Sequence, residues 1–288
     1  MSGVKPMSEG FDDLCKQIIY SEPLGHIQHP KLDEAMGGIR DYLCIVAGGP
    51  GTGKTTFVHE IADYWALMGH PVVFFEGELR TSGMLAKSIT RLTKGALNYS
   101  DMFASKLTGE RLKIFTDATE IYRSTIAPRM HMLHQEMGLR TMGECVKEVA
   151  LRFGEPPLVV VDYVQIVSLP PEFNSVDERI GLKYVASELR RMVDELHCPL
   201  IAISSINRVN YDKKNIGLDS LGGSSAFEYG ADLVMPLIVK GDRADERAAN
   251  MTESQRPVVA AVVKNRYGAC AKIDYIFDAP NARFIESE

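Results

Sequence analysis

Long apolar runs are missing from this 288-residue sequence, and no stretch approaches the ~18 residues that a membrane-spanning helix needs. The N-terminus also lacks the order of basic residues followed by an apolar block that marks an export signal. Cysteine is sparse: Cys15, Cys44, Cys145, Cys198 and Cys270 are odd in number, scattered and without C-x-x-C spacing. That pattern excludes a disulfide framework and a zinc site built on paired cysteines, and it fits a reducing, cytoplasmic location. Positive charge is short as well, with 32 Lys and Arg against 38 Asp and Glu and a formal net charge of -6. Such a balance excludes a chain that coats itself in nucleic acid through global charge, and leaves room only for a local basic channel. There is no internal repeat and no low-complexity segment. What remains, 45% hydrophobic and 24% charged, is the composition of an ordinary globular protein with room for one large α/β domain.

The strongest local signal is Gly48-Gly49-Pro50-Gly51-Thr52-Gly53-Lys54-Thr55, which satisfies G-x-x-x-x-G-K-[ST] at every specified position. The apolar run Tyr42 to Ala47 before it reads as a buried parallel strand, and Phe57 to Met68 after it reads as a helix. Glycines in this setting let successive backbone N–H groups turn inward on a polyphosphate, and the helix N-terminus adds a favourable dipole. Gly48 through Thr55, together with Thr56, are therefore the expected ATP-binding residues, with Lys54 reaching the β- and γ-phosphates and Thr55 holding Mg²⁺.

Further strands are expected at Val72 to Phe75, at Leu158 to Tyr163, at Pro199 to Ser205, at Leu233 to Val239, at Val258 to Lys264 and at Ala271 to Phe277. Glu76-Gly77-Glu78 closes the first of these. In an open α/β sheet the ligand lies beyond the carboxyl ends of the strands, so Glu78 is placed to orient a water at the γ-phosphate. The same two acids equally suit the start of a helix. Leu158-Val159-Val160-Val161-Asp162 ends four β-formers in an acid, the pattern that puts Asp162 on the Mg²⁺ shared with Thr55. Lys264 and Arg266 sit at a turn between late strands. They read either as solvated cations or as a pair aimed at a phosphate of the next subunit.

Between the motifs, Phe11 to Tyr20 carries apolar residues at helical spacing, which identifies a buried face but not whether its own domain or a neighbouring subunit covers it. Residues 21–41 read as a connection, with His26 and His29 as loop residues. Gly83 to Gly154 is mostly helical in pattern. Met130-His131-Met132-Leu133-His134 within it reads as a short strand with one buried face rather than a metal site. Ile180 to Leu196 is a helix, and Asp242 to Asn250 is a charged surface insertion.

Taken in order, these elements resemble the C-terminal ATPase domain of DnaB-type replicative helicases, within the RecA-like ring ATPases. The marks are the phosphate loop, Phe74-Phe75-Glu76-Gly77-Glu78, Val159-Val160-Val161-Asp162-Tyr163-Val164-Gln165, Ile203-Ser204-Ser205-Ile206-Asn207-Arg208, Ala226 to Asp232, and Lys264-Asn265-Arg266-Tyr267-Gly268. The resemblance implies a RecA-like P-loop NTPase core, a mostly parallel sheet flanked by helices, over 31–288. Residues 1–30 are then a leader with a candidate linker helix. It implies that Glu78 is the catalytic glutamate, that Asp162 is the metal-binding acid, and that Lys264 and Arg266 reach the ATP of an adjacent copy in a ring, expected as a hexamer. Arg208, Lys213 and Lys214 become the contacts to single-stranded DNA in the pore, and a primase- or loader-type protein becomes a partner. Ser205 stands where the family usually carries a γ-phosphate-sensing glutamine, the loop from Arg208 to Ser220 is short, and Gly222-Gly223 replaces an Arg and an acid. Only a short leader precedes the ATPase segment. The alternative within the same superfamily is a RecA-, RadA- or KaiC-type switch that changes partners on hydrolysis without unwinding DNA. A phosphate-transferring kinase fits less well, because Lys264 and Arg266 suit a trans-acting pair better than an acceptor site.

Overall fold

A computed structural model describes residues 8, 10–19, 22–104, 107–134, 137–173, 177–205 and 230–287. The expected DNA contacts Arg208, Lys213 and Lys214, and the Gly222-Gly223 pair, lie outside the described residues.

The apolar runs form the expected parallel strands: β1 (Leu43–Gly48), β2 (Val72–Glu76), β3 (Met130–His134), β4 (Leu158–Asp162), β5 (Leu200–Ser205) and β6 (Leu233–Val239). Their order across the sheet is β6-β1-β5-β4-β2-β3, every neighbouring pair parallel. Because side chains alternate across a strand, each strand feeds two cores. Cys44 and Val46 of β1 pack with Phe57, Ile61 and Trp65 of α3 (Lys54–Leu67). Leu43, Ile45 and Ala47 pack on the other face with Val146 of α7 (Leu139–Phe153) and Leu189 of α8 (Glu178–Leu196). Strands buried on both faces need continuous apolar runs, which is why β1, β2 and β4 stand out in the sequence. Each fully buried Val, Leu or Ile in them contributes roughly 1.5–3 kcal/mol.

The helix after the phosphate loop begins at Lys54, three residues before the expected Phe57, since the loop feeds it directly through Phe57 N–H donating to Gly53 O at 2.8 Å. Residues 21–41 are not wholly a connection. Pro30 opens a short helix, α2 (Pro30–Met36), ended by Gly37 in the left-handed region, and His29 before it is buried with its ring stacked on Phe57 at 5.3 Å. Burial draws the His29 pKa down to about 4, so it packs as a neutral ring. The helical stretch from Gly83 onward resolves into α4 (Thr81–Leu92), α5 (Asp101–Ala104), α6 (Gly109–Thr125) and α7, with β3 at the sheet edge between the last two. The expected N-terminal helix, α1 (Phe11–Ile19), leaves Phe11, Ile18 and Ile19 exposed. The charged stretch near 242–250 is a surface helix, α9 (Ala244–Thr252), with Asp245 and Glu246 in its first turn, where the helix dipole favours them.

Beyond β6 the sheet turns antiparallel through β7 (Gln255–Val262), β9 (Ala271–Asp278) and β10 (Arg283–Glu286). A two-residue strand, β8 (Lys264–Asn265), returns to the beginning of β6. Paired residue numbers sum to 497 for Leu237↔Ala260 and to 498 for Val234↔Lys264, so one extra residue is accommodated between β7 and β8. That bulge re-aims the chain. Asn265 pairs with Leu233, which lies beside Cys44, while the phosphate loop leaves from Gly48. Four steps along the strand lead from Cys44 to Gly48, which puts Lys264 to Arg266 roughly 13 Å along the sheet from the loop, at its opposite end.

Candidate nucleotide site

The phosphate loop is held from within. Thr52 is fully buried and its hydroxyl donates to Gly49 O at 2.9 Å, while Lys54 Nζ donates to the same carbonyl at 2.9 Å. Gly53 needs both its freedoms: φ is +90°, and a Cβ there would lie 2.7 Å from Phe284 Cζ and 2.9 Å from Phe277 Cε1. A cavity of about 450 Å³ opens over the loop, lined by Pro50, Gly51, Gly53, Lys54, Thr55 and Thr56 on one side. Gly48, Gly49 and Thr52 do not line it and serve as its scaffold. Burial lowers the pKa of Lys54, partly offset by Asp162 and Glu78.

Next to Thr55, behind the cavity lining, the strand ends bring carboxylates together. Glu76 and Asp162 are register partners on adjacent strands and both are buried. Burial, with Glu76 next to it, pushes Asp162 up to about 7, against the pull of a hydrogen bond from Thr55. One oxygen of each acid, Asp162 Oδ2 and Glu76 Oε2, is buried without a hydrogen-bond partner. Two desolvated carboxylates with spare oxygens beside a threonine hydroxyl form a donor set that suits a hard divalent cation. Among the described residues no group of three or more His, Cys, Asp or Glu could hold a metal alone, so such an ion would also need phosphate and water oxygens.

The fold gives Glu76 and Glu78 different surroundings. Glu76 Oε1 accepts from the backbone N–H groups of Glu78 and Leu79, both at 2.7 Å, and so builds the turn. Glu78 lines the cavity. Gly77 between them has no room for a side chain, since a Cβ there would meet Ile166 Cδ1 at 1.8 Å.

Ser205 also lines the cavity, at the end of β5. Its backbone N–H donates to Gln165 Oε1 at 3.3 Å, and Gln165 Nε2 donates to Ser204 Oγ at 3.0 Å. A glutamine amide thus bridges the ends of β4 and β5 even though the strand itself ends in serine.

Three contributors were given no site role in the sequence. Lys87 of α4 lines the cavity and donates to Thr56 Oγ1 at 3.1 Å, with burial drawing its pKa down to about 8 against the pull of Asp162, Glu76 and Glu78. Arg256 reaches Gly51 O at 2.6 Å and lies over the Phe277 ring at 5.5 Å. Tyr163, next to Asp162, lines the cavity too, as do Leu79, Phe277 and Ala279. Lys87 was legible in one respect: with Met84, Ser88 and Arg91 it falls on a single face at helical spacing, an unusual place for a cation. That face continues into a buried cluster in which Arg91 donates to Asp63 Oδ2 at 2.5 Å and to His59 Nδ1 at 3.0 Å.

Lys264 and Arg266 are not brought to this cavity. Arg266 lies at the far end of the sheet, with Nη1 at 3.4 Å from Asp232 Oδ1. The site within one chain therefore comprises the loop, Thr55, Asp162, Glu78 and Ser205, and the two finger candidates face elsewhere.

Residues 26–286 match the family model of the DnaB-like helicase C-terminal domain. The replicative DNA helicase DnaB of Pasteurella multocida is 25% identical, with 98% of this chain and 56% of that protein covered. That of Treponema pallidum is 26% identical, with 88% and 54% covered. The chain thus spans about half the length of the curated relatives it matches. Among solved structures, an isolated ATPase domain superposes with a TM-score of 0.83 at 18% identity, covering 99% of this chain and 100% of that one. A DnaB-like replicative helicase, solved with a view to its interactions with primase, gives 0.82 at 17% identity, covering 99% and 68%. A KaiC-like protein of Pyrococcus horikoshii gives 0.57 at 16% identity, covering 92% and 98%. These likenesses establish the fold as RecA-like.

Proposed function

The chain belongs to the family of DnaB-like helicase C-terminal domains, and from that premise we propose that it is the ATP-hydrolysing motor of a cytoplasmic ring that moves along single-stranded DNA. In this reading 31–288 is the motor, expected in six copies, and 1–30 is a leader whose α1 serves as a linker helix. The loop from Gly48 to Thr56 binds the triphosphate of ATP, with Lys54 on the β- and γ-phosphates. Thr55 and Asp162 hold Mg²⁺, which neutralises phosphate charge when bound. Glu78 orients the attacking water, and Glu76 keeps Glu78 in place through its backbone. Lys87 adds a second cation on the Thr56 side of the cavity.

The single observation that carries the ring is the separation along the sheet of Lys264 and Arg266 from the cavity of their own chain. Cations that neutralise the charge of phosphoryl transfer must touch the transferring group. A pair roughly 13 Å away along the same sheet can do so only on another copy. Ser205 lines the cavity and, in the sequence, directly precedes the stretch that carries Arg208, Lys213 and Lys214, the proposed DNA contacts. A primase- or loader-type protein is the partner we propose for the assembled ring.

The test is ATP hydrolysis with and without single-stranded DNA, on material whose oligomeric state is measured in the same buffer. DNA should raise the rate at low salt, with DNA binding falling steeply as salt increases. A basal rate that DNA leaves unchanged at low salt would remove the translocase reading.

A further inference from the structure

Asp232, just before β6, is fully buried and gathers more donors than its strand requires. Its Oδ2 accepts from Leu43 N–H at 3.0 Å and from the guanidinium of Arg190 on α8. Its Oδ1 lies 3.4 Å from Arg266 Nη1, and its carbonyl accepts the backbone N–H of Arg266 at 3.0 Å. One buried residue therefore holds Arg266 by main chain and side chain together, while the Arg266 side chain remains 47% exposed.

The two ion pairs differ in kind. A buried carboxylate must keep a cation partner, and Arg190 supplies one at close range. The Arg266 contact is long beside the ~2.7–2.9 Å of a strong charge-assisted bond, so a better-placed anion can win it. Arg190 is in turn steadied by Asp194 at 2.8 Å. We propose that Asp232 is a positioning residue: it aims Arg266 outward and yields its side chain to the triphosphate of the adjacent copy, while Arg190 keeps Asp232 neutralised. The proposal rests on Arg266 acting in trans.

Asp232→Asn keeps an acceptor for Leu43 but removes the charge that holds Arg266. It should lower kcat for ATP at least about tenfold, up to the ~100-fold that misplacement of a reacting group by about 1 Å can cost. KM should stay within about twofold, because the loop of the same chain is untouched. A structural defect is separated from a positioning defect by reassembling mixed rings. Lys54→Ala subunits lack a working loop but retain the finger face, so mixed with Asp232→Asn they restore activity at about one interface in four. The mixture of Lys54→Ala with Arg266→Ala is the control. If that control fails to regain activity, the trans reading of Arg266 falls. If the control succeeds while the Asp232→Asn mixture stays inactive, or if Asp232→Asn alone keeps its kcat, the positioning role falls.

Should Asp232→Asn not fold, Arg190→Met examines the same pair from a half-buried helix face. Without Arg190, Asp232 cannot release Arg266 without leaving a buried charge, so kcat should drop and the mixture with Lys54→Ala should recover it. A normal kcat in Arg190→Met would overturn the proposal.

Discussion

Replacing Asp162 by Asn should stabilise the nucleotide-free protein above pH 7 while abolishing hydrolysis. The fold holds Asp162 at a pKa of about 7, against about 3.8 for a free side chain, because burial and the neighbouring Glu76 both oppose its charge. A raised carboxylate binds more protons in the folded chain than in the unfolded one, so stability falls as pH rises from about 4 to about 7 and stays reduced above that. Each tenfold in proton affinity is worth about 1.4 kcal/mol, which makes the ionised Asp162 a cost of about 4 kcal/mol in the apo fold. Asn remains a buried polar group beside Thr55, so a net gain of about 1–3 kcal/mol is expected at pH 8. The difference should narrow towards pH 5. Urea unfolding at several pH values, without nucleotide or Mg²⁺, measures it. With Mg²⁺ and nucleotide present, the wild type should recover more stability than the variant, through binding linkage. Asp162→Asn less stable than wild type at pH 8 in the apo state would refute the idea that these carboxylates are kept under strain for a cation.

Glu78→Gln should cut turnover by about a hundredfold or more while leaving nucleotide affinity intact, as loss of a water-orienting base does; a rate within severalfold of wild type would shift that role elsewhere. Lys87→Met should raise the KM for ATP about tenfold, the worth of one charge-assisted contact, and an unchanged KM would take Lys87 out of the site. Arg91→Met leaves Asp63 buried without its cation, which should cost about 3–5 kcal/mol in urea unfolding. A loss below about 1 kcal/mol would mean that water satisfies Asp63 instead.

The parts of the site that a single segment must build are legible in the sequence alone. A loop that turns its amides inward dictates glycines at fixed spacing, and a doubly buried strand dictates an unbroken apolar run with an acid at its end. Gly53 and Asp162 are accordingly visible. Features made by distant segments are not. The pairing of Glu76 with Asp162, which separates the roles of Glu76 and Glu78, depends on strand register. The Gln165 bridge to Ser204 and Ser205 joins the ends of two strands that only folding brings side by side. The antiparallel return of β7 and β8 along β6, which takes Arg266 to the far end of the sheet, leaves no local mark in the sequence. Asp232 shows in the sequence as the last residue of the Ala226 to Asp232 mark and an acid before a strand, while its buried contacts with Arg190 and Arg266 emerge from three separate elements.

In the proposed ring, one chain carries half of a catalytic site. Arg266→Ala tests it most directly, with ATP affinity and steady-state hydrolysis measured on the same assembled sample in the presence of single-stranded DNA. Affinity close to wild type with turnover lost is the predicted result. Hydrolysis at the wild-type rate would contradict it.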